Sequence, residues 1–204
     1  MMKKVLCLLV AVFIIVFSAC KKNDSPAGSG ETLSQFIDAS SSTTWHYFSF
    51  KDTMVIGTGE ENETDNAAWF ARTDWDMAIC RYKIRTNSGA ATTAGADGGV
   101  FTFSSGISYD DITAVPDTAI FATDQEVEES GMGGTKIIVK SKAQVIQYKA
   151  NEDGSLVMPP VYLQSPIYIF KTADGKNTYK VNFTQYLNES STSGKVIFDY
   201  AILY

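Results

Sequence analysis

The chain has one histidine, His46, in 204 residues, and that scarcity removes most catalytic templates. Any Ser-His-Asp arrangement would have to be built around this one strand position. No His/Cys cluster has the spacing of a zinc site. No glycine-rich loop joins a strand to a helix, so no phosphate cradle is expected; Gly131 to Gly134 is glycine-rich, but no helical pattern follows it. Carboxylates are abundant, yet nothing singles out a catalytic pair. Asp74 and Asp76 flank Trp75 and read as strand-edge polar residues, with Asp74 in a turn. No basic, aromatic-interleaved patch is present, and a net charge of −6 disfavours nucleic acid. Long helical periodicity is missing after residue 30.

Cysteine is scarce as well: Cys7, Cys20 and Cys80. Met1-Met2-Lys3-Lys4 precedes an apolar run from Val5 to Phe17, the pattern of a secretory signal. The run is shorter than the roughly 20 apolar residues of a membrane span. It ends in Phe17-Ser18-Ala19-Cys20, which resembles a bacterial lipobox, where the cysteine is lipidated and becomes the new N-terminus. Residues 1–19 are therefore expected to be a lipoprotein signal peptide and Cys20 the lipidation site. Residues 20–31 form a polar, Gly/Ser/Pro-containing tether. Cys7 leaves with the signal and Cys20 carries lipid, so Cys80 has no partner for an intrachain disulfide. Losing Lys3 and Lys4 takes the charge from −6 to −8.

Residues 32–204 have the size of one domain and, in a chain 45% apolar, ample material for a core. Short β-branched and aromatic runs broken by Gly, Asn, Asp and Ser predict an all-β domain of antiparallel strands. Thr32 to Ile37 suggests one capped helical turn. Trp45 to Phe50 and Met54 to Ile56 suggest a hairpin turning at Asp52-Thr53, and Glu60 to Asn66 a polar loop. Trp75 to Thr86 reads as a central strand whose apolar parity switches near Cys80, implying a bulge or bend. Asn87 to Gly99 is a loop with side chains too small to pack well. Val100 to Phe103 is a brief strand, Ile107 to Pro116 irregular, and Lys136 to Tyr148 one or two strands. Asn151 to Gly154 makes a turn. Ile167 to Thr172, Asp174-Gly175 and Asn177 to Tyr186 make a hairpin. Val196, Phe198, Tyr200, Ile202 and Tyr204 alternate to the end, completing a C-terminal three-stranded meander.

The run Asp74-Trp75-Asp76-Met77-Ala78-Ile79-Cys80, continuing to Arg85-Thr86-Asn87-Ser88-Gly89, resembles the HmuY family of haem-binding lipoproteins. So do Thr44 to Phe50, Met158-Pro159-Pro160, Thr172 to Lys176 and Tyr179 to Phe183. The likeness runs from about Trp45 to Tyr204 and is weakest between Ile107 and Gln125. It implies an all-β domain shaped like a grasping hand and no catalysis. It also implies a hemophore-like role at the outer membrane or cell surface, or after release: haem b is taken as cargo from host haemoproteins and passed to a TonB-dependent outer-membrane receptor. The family's best-known members grip iron with two histidines, and this chain has none after His46. His46, between Trp45 and Tyr47, reads as an exposed or hydrogen-bonded strand histidine. Some members of the family offer methionines instead.

Of the four methionines left after processing, Met54 and Met77 are expected in the core. Met132, in Gly131-Met132-Gly133-Gly134, and Met158, before Pro159-Pro160, are expected in loops and are the candidate axial ligands of haem iron. A thioether is soft, uncharged and needs no deprotonation. Tyr148, Tyr162 and Tyr168 are candidates to stack on the porphyrin, and Lys136, Lys140 and Lys142 to pair its propionates. The alternative is a non-haem surface module, an adhesin or glycan binder, with Trp45, Trp69 and Trp75 as a stacking platform.

Overall fold

The computed structural model describes residues 29–131 and 134–204. The expected signal peptide, the lipidation site Cys20, most of the tether and Met132 lie outside the described residues.

The domain opens with β1 (Leu33–Asp38) where a capped helical turn was expected. Its register against the C-terminal strand, from Leu33 opposite Tyr200 to Asp38 opposite Lys195, decides the conformation over a weak local preference. The expected hairpin follows as β2 (Thr44–Ser49) and β3 (Met54–Glu60). Within the predicted polar loop a helix begins instead, α1 (Glu63–Phe70), and it runs on past the loop's expected end. Asn62 caps it by accepting from the Asp65 amide at 2.8 Å, and Glu63 and Asp65 in the first turn suit the helix dipole. An acidic stretch that reads as a loop is also what a helix N-terminus looks like.

The expected central strand is a hairpin, β4 (Met77–Cys80) and β5 (Lys83–Thr86). The parity switch marks a complete reversal at Arg81-Tyr82, not a bulge: Cys80 pairs with Lys83, and Arg81 adopts φ 54°. Tight hairpins need such a left-handed residue and usually signal it with Gly or Asn. Arg81 gives no such signal. The loop after β5, expected to pack poorly, buries Asn87, Ser88, Thr92 and Thr93. Polar closure replaces apolar packing: the Thr92 hydroxyl donates to the Ser88 carbonyl at 2.7 Å and accepts from the Ser88 amide at 2.9 Å.

The remaining strands are β6 (Gly99–Thr102), β7 (Gln125–Gly131), β8 (Gly134–Lys140), β9 (Ile146–Tyr148), β10 (Tyr162–Gln164), β11 (Tyr168–Lys171), β12 (Thr178–Leu187) and β13 (Ser193–Leu203). The C-terminal meander is present as β11-β12-β13, widened by β1 and β6 into a five-stranded sheet of order β1-β13-β12-β11-β6. A four-stranded sheet has the order β3-β2-β4-β5, and β7-β8 and β9-β10 are separate two-stranded ribbons. All the named strand pairs are antiparallel.

The two large sheets pack face to face. Phe48, Met77, Ile79 and Ile84 meet Phe170, Val181, Phe198 and Tyr200, with the Phe48 and Phe198 rings 5.4 Å apart. The outer face of the four-stranded sheet is closed by α1, whose Trp69 stacks on Tyr47 at 3.8 Å. The outer face of the five-stranded sheet carries Ile167, Ile169 and Leu203 beneath Ile112, Tyr109 and Val115. That cover explains the end of β13. Burial alternates as expected through Tyr200, but Ala201 and Leu203 are then buried too, and Tyr204 is 81% exposed. Met77 is core, as expected; Met54, at the start of β3, is 53% exposed. Cys80 is free and buried, which pushes its thiol up to about 11.

Candidate functional site

Two fingers spring from one edge of the four-stranded sheet. Between β8 and β9 the chain runs along β5: the Ser141 amide donates to the Ile84 carbonyl at 2.8 Å, and Val145 to Tyr82 at 2.9 Å. The β7-β8 ribbon leaves before this splice and the β9-β10 ribbon after it.

The first finger is rooted in the Arg85-Thr86 part of the distinctive run. Arg85 is fully buried. Its Nη2 donates to both carboxylate oxygens of Glu61 at 2.9 Å, its Nη1 to Tyr47 and Asn66, and its Nε to the Val139 carbonyl of β8 at 2.8 Å. The guanidinium also lies 3.8 Å from the Trp45 ring centroid. Burial raises the Glu61 pKa, but Arg85, Asn66 and Trp45 more than offset it and hold the carboxyl below its usual range. Thr86 grips the other strand of the ribbon: its amide and hydroxyl donate to Asp124, immediately before β7, at 3.0 and 2.7 Å. Burial pushes Asp124 up to about 7, against the pull of these donors and of Arg85. Farther along the ribbon, Lys140 pairs with Glu129 at 2.6 Å, so its expected role toward a propionate is already taken by a carboxylate. Lys136 stands opposite Glu129 in register, and Lys136 and Lys142 are exposed. Ile137 is exposed while its neighbour Ile138 is core.

The second finger pairs Ile146 with Gln164 and Tyr148 with Tyr162. Residues 149–161 then loop outward, closed by the Lys149 amide on the Val161 carbonyl and the Val157 amide on the Lys149 carbonyl. The Met158-Pro159 peptide is cis. Leu156, Met158, Val161 and Leu163 are all exposed, Met158 by 74%. At the root, Tyr82, Tyr148, Tyr162 and Tyr186 contact edge-to-face in a chain with centroids 5.2, 5.4 and 5.4 Å apart. Burial raises the Tyr148 pKa. Of the three expected stacking tyrosines, Tyr148 and Tyr162 therefore stand half-buried at this root. Tyr168 is instead in the main core, its hydroxyl donating to the Gln144 carbonyl at 3.1 Å.

Met158 thus lies in a loop, as expected, and Met132 lies outside the described residues. His46 is half-buried in β2 opposite Thr58 and Ile79, with β4 and β5 between it and the fingers. Burial lowers its pKa, against Asp38 and Glu60. Trp45, Trp69 and Trp75 are all buried in one cluster and present no stacking platform. Asp76 is not a strand-edge residue. It is buried, accepts the Phe50 and Ala173 amides at 2.9 Å each, and so ties the two large sheets together; burial raises its pKa. Asp74 is exposed and pairs with Arg72 at 2.7 Å.

Sequence reasoning missed the anchors Arg85 and Asp124 and the apolar company of Met158. Arg85 alternates with Ile84 like a solvent-facing strand residue, and only its partners from distant segments make burial tolerable. The one available signal was Leu156, Val161 and Leu163 around a Pro-Pro pair, apolar residues in a stretch that cannot form a central strand. Among the described residues, no group of three His, Cys, Asp or Glu side chains is placed to hold a metal. None of the described helices is long and apolar enough to cross a membrane.

A family model described as HmuY protein matches residues 41–200. Several solved structures share the fold. A protein from Bacteroides vulgatus described as HmuY-like and haem-binding is 22% identical, with 85% of this chain and 96% of that one covered and a TM-score of 0.57. The apo HmuY analog of Tannerella forsythia is 19% identical, covering 86% and 98%, also at 0.57. A Bacteroides fragilis protein described as a lipoprotein is 18% identical, covering 88% and 96%, at 0.58. No curated protein matches.

Proposed function

The chain belongs to the HmuY family, and from that premise we propose that it is a surface lipoprotein that binds haem b as cargo and hands it to an outer-membrane uptake receptor of the TonB-dependent kind. Host haemoproteins would be the source. The observation that carries the reading is Met158, a thioether held in water among Leu156, Val161 and Leu163 at the end of a finger. Exposed apolar groups gathered in one place mark an interaction site. Haem supplies a flat apolar face to cover them and a soft metal for the sulfur. Met132, between the paired Gly131 and Gly134 of the other ribbon, is the proposed second ligand.

With one histidine in the chain, two-histidine ligation is impossible. Thioether ligation would favour ferrous haem, and would be largely independent of pH because methionine has no proton to lose. The proposed role is binding, not catalysis. Lipidation of Cys20 would hold the domain at the outer membrane, with residues 20–31 as tether and residues 32–204 as the working domain.

The test is a haem titration read by absorbance under oxidising and reducing conditions, with Met132→Ala and Met158→Ala alongside. The expected result is saturable binding with a low-spin spectrum, tighter when reduced and weakened by each substitution. Binding indifferent to both substitutions overturns the ligand assignment. No saturable binding in either state overturns the haem reading.

A further inference from the structure

One groove of the described residues lies outside the proposed haem site and has a different chemistry. It is an open cleft of about 660 Å³ between the roof loop after β6 and the root of the second finger. That volume is within the range of small-molecule sites. None of its described lining residues is charged, in a chain where 20% of residues are. The lining holds three carboxamides, Gln147, Gln164 and Asn182, several serines, and the half-buried rings of Phe103 and Tyr109. Gln164 donates to Asn182 at 3.3 Å, which fixes both amides side by side. Ser165 also lines the groove and is 5% exposed.

We propose that this groove is a second binding site, for a neutral saccharide. Carboxamides offer a donor and an acceptor on one rigid plane, matching the paired hydroxyls of a sugar. A half-exposed aromatic ring can cover the apolar C–H face of a pyranose. The uncharged lining offers no countercharge to a phosphate, a sulfate or the propionates of haem, and it contains no methionine, histidine or cysteine. The glycan-binding function sought in the tryptophans, all buried, therefore has a place elsewhere in the fold.

The experiment records amide spectra of the protein while mannose, galactose, N-acetylglucosamine or maltotriose is added to millimolar concentrations. A glycoprotein bearing neutral glycans is tested before and after glycosidase treatment. Saturable shifts of the Gln147, Gln164 and Asn182 side-chain amides are expected with at least one sugar. Ser108→Ala and Asn182→Ala, neither in a finger, should each weaken binding about tenfold without changing thermal stability or the haem titration. Binding of the glycoprotein that is lost on glycosidase treatment identifies a protein-borne glycan as ligand; shifts with free sugar alone identify a soluble saccharide. Absence of saturable shifts with all four sugars and the glycoprotein overturns the proposal, as does binding that neither substitution weakens. Failure here leaves the haem titration unaffected, so the two readings fall separately.

Discussion

Around Arg85, charged and aromatic side chains alike are shut away from water, whereas along residues 156–163 four apolar side chains stand in it. The first region satisfies the guanidinium it buries: all five donors have acceptors, and Trp45, Trp69 and Trp75 are interred beside them. The second leaves undone a burial worth about 1.5–3 kcal/mol for each large apolar side chain. One region uses its interactions to hold the first finger in place. The other leaves its apolar surface in water. The two are joined in sequence logic as well, since the run that gives the clearest family resemblance roots the first finger.

The sharpest way to break the contrast is Arg85→Met. It strands Glu61 as a buried, unpaired carboxylate and frees the Val139 carbonyl, so urea denaturation should show a loss of about 3–5 kcal/mol. Next comes Asp124→Ala, which leaves the Thr86 amide buried without an acceptor, while the Thr86 hydroxyl keeps Ser88; the same measurement should show about 1–3 kcal/mol lost. Asp124 also makes a pH prediction. Its folded pKa, raised to about 7, lies above the ordinary carboxylate value, so its contribution to stability is full below about pH 4 and is lost as pH rises through 7. Asp124→Asn should flatten that part of a stability-against-pH curve, and an unchanged slope between pH 5 and 8 would refute the assignment.

The second finger should behave in the opposite way. Met158→Ala is expected to alter stability by less than about 0.5 kcal/mol, because the side chain packs against little. It should nonetheless cost about tenfold or more in haem affinity, read from the absorbance titration. The smallest effect belongs to Leu156→Ser, which should leave the unfolding midpoint in place and weaken haem binding only a few-fold. If either finger substitution unfolded the domain, its apolar side chains would be structural and the contrast would disappear.

Much of the sheet architecture was legible. β12 and β13 announce themselves by alternation and by the Asp174-Gly175 turn, where Gly175 takes φ 71°. β1 and α1 were not legible, because the partner that decides each is far away: β13 for the strand, Tyr47 beneath Trp69 for the helix. The β4-β5 reversal was visible only as a parity switch, since Arg81 adopts a turn conformation without the residue type that advertises one. On the site, Met158 was picked out by the adjoining prolines. The groove of carboxamides was invisible, because Phe103, Gln147 and Asn182 come from three separate segments.

By itself, the sequence determined the class of the molecule. Short alternating runs broken by turn residues describe an antiparallel all-β domain, because composition and period are local properties of a chain. The tertiary structure alone decided which polar residues are buried and which apolar residues are exposed. Arg85, Asp76 and Asp124 can leave water only where distant segments bring acceptors or donors to meet them. Leu156 and Met158 stay in water because no distant segment among the described residues comes to cover them.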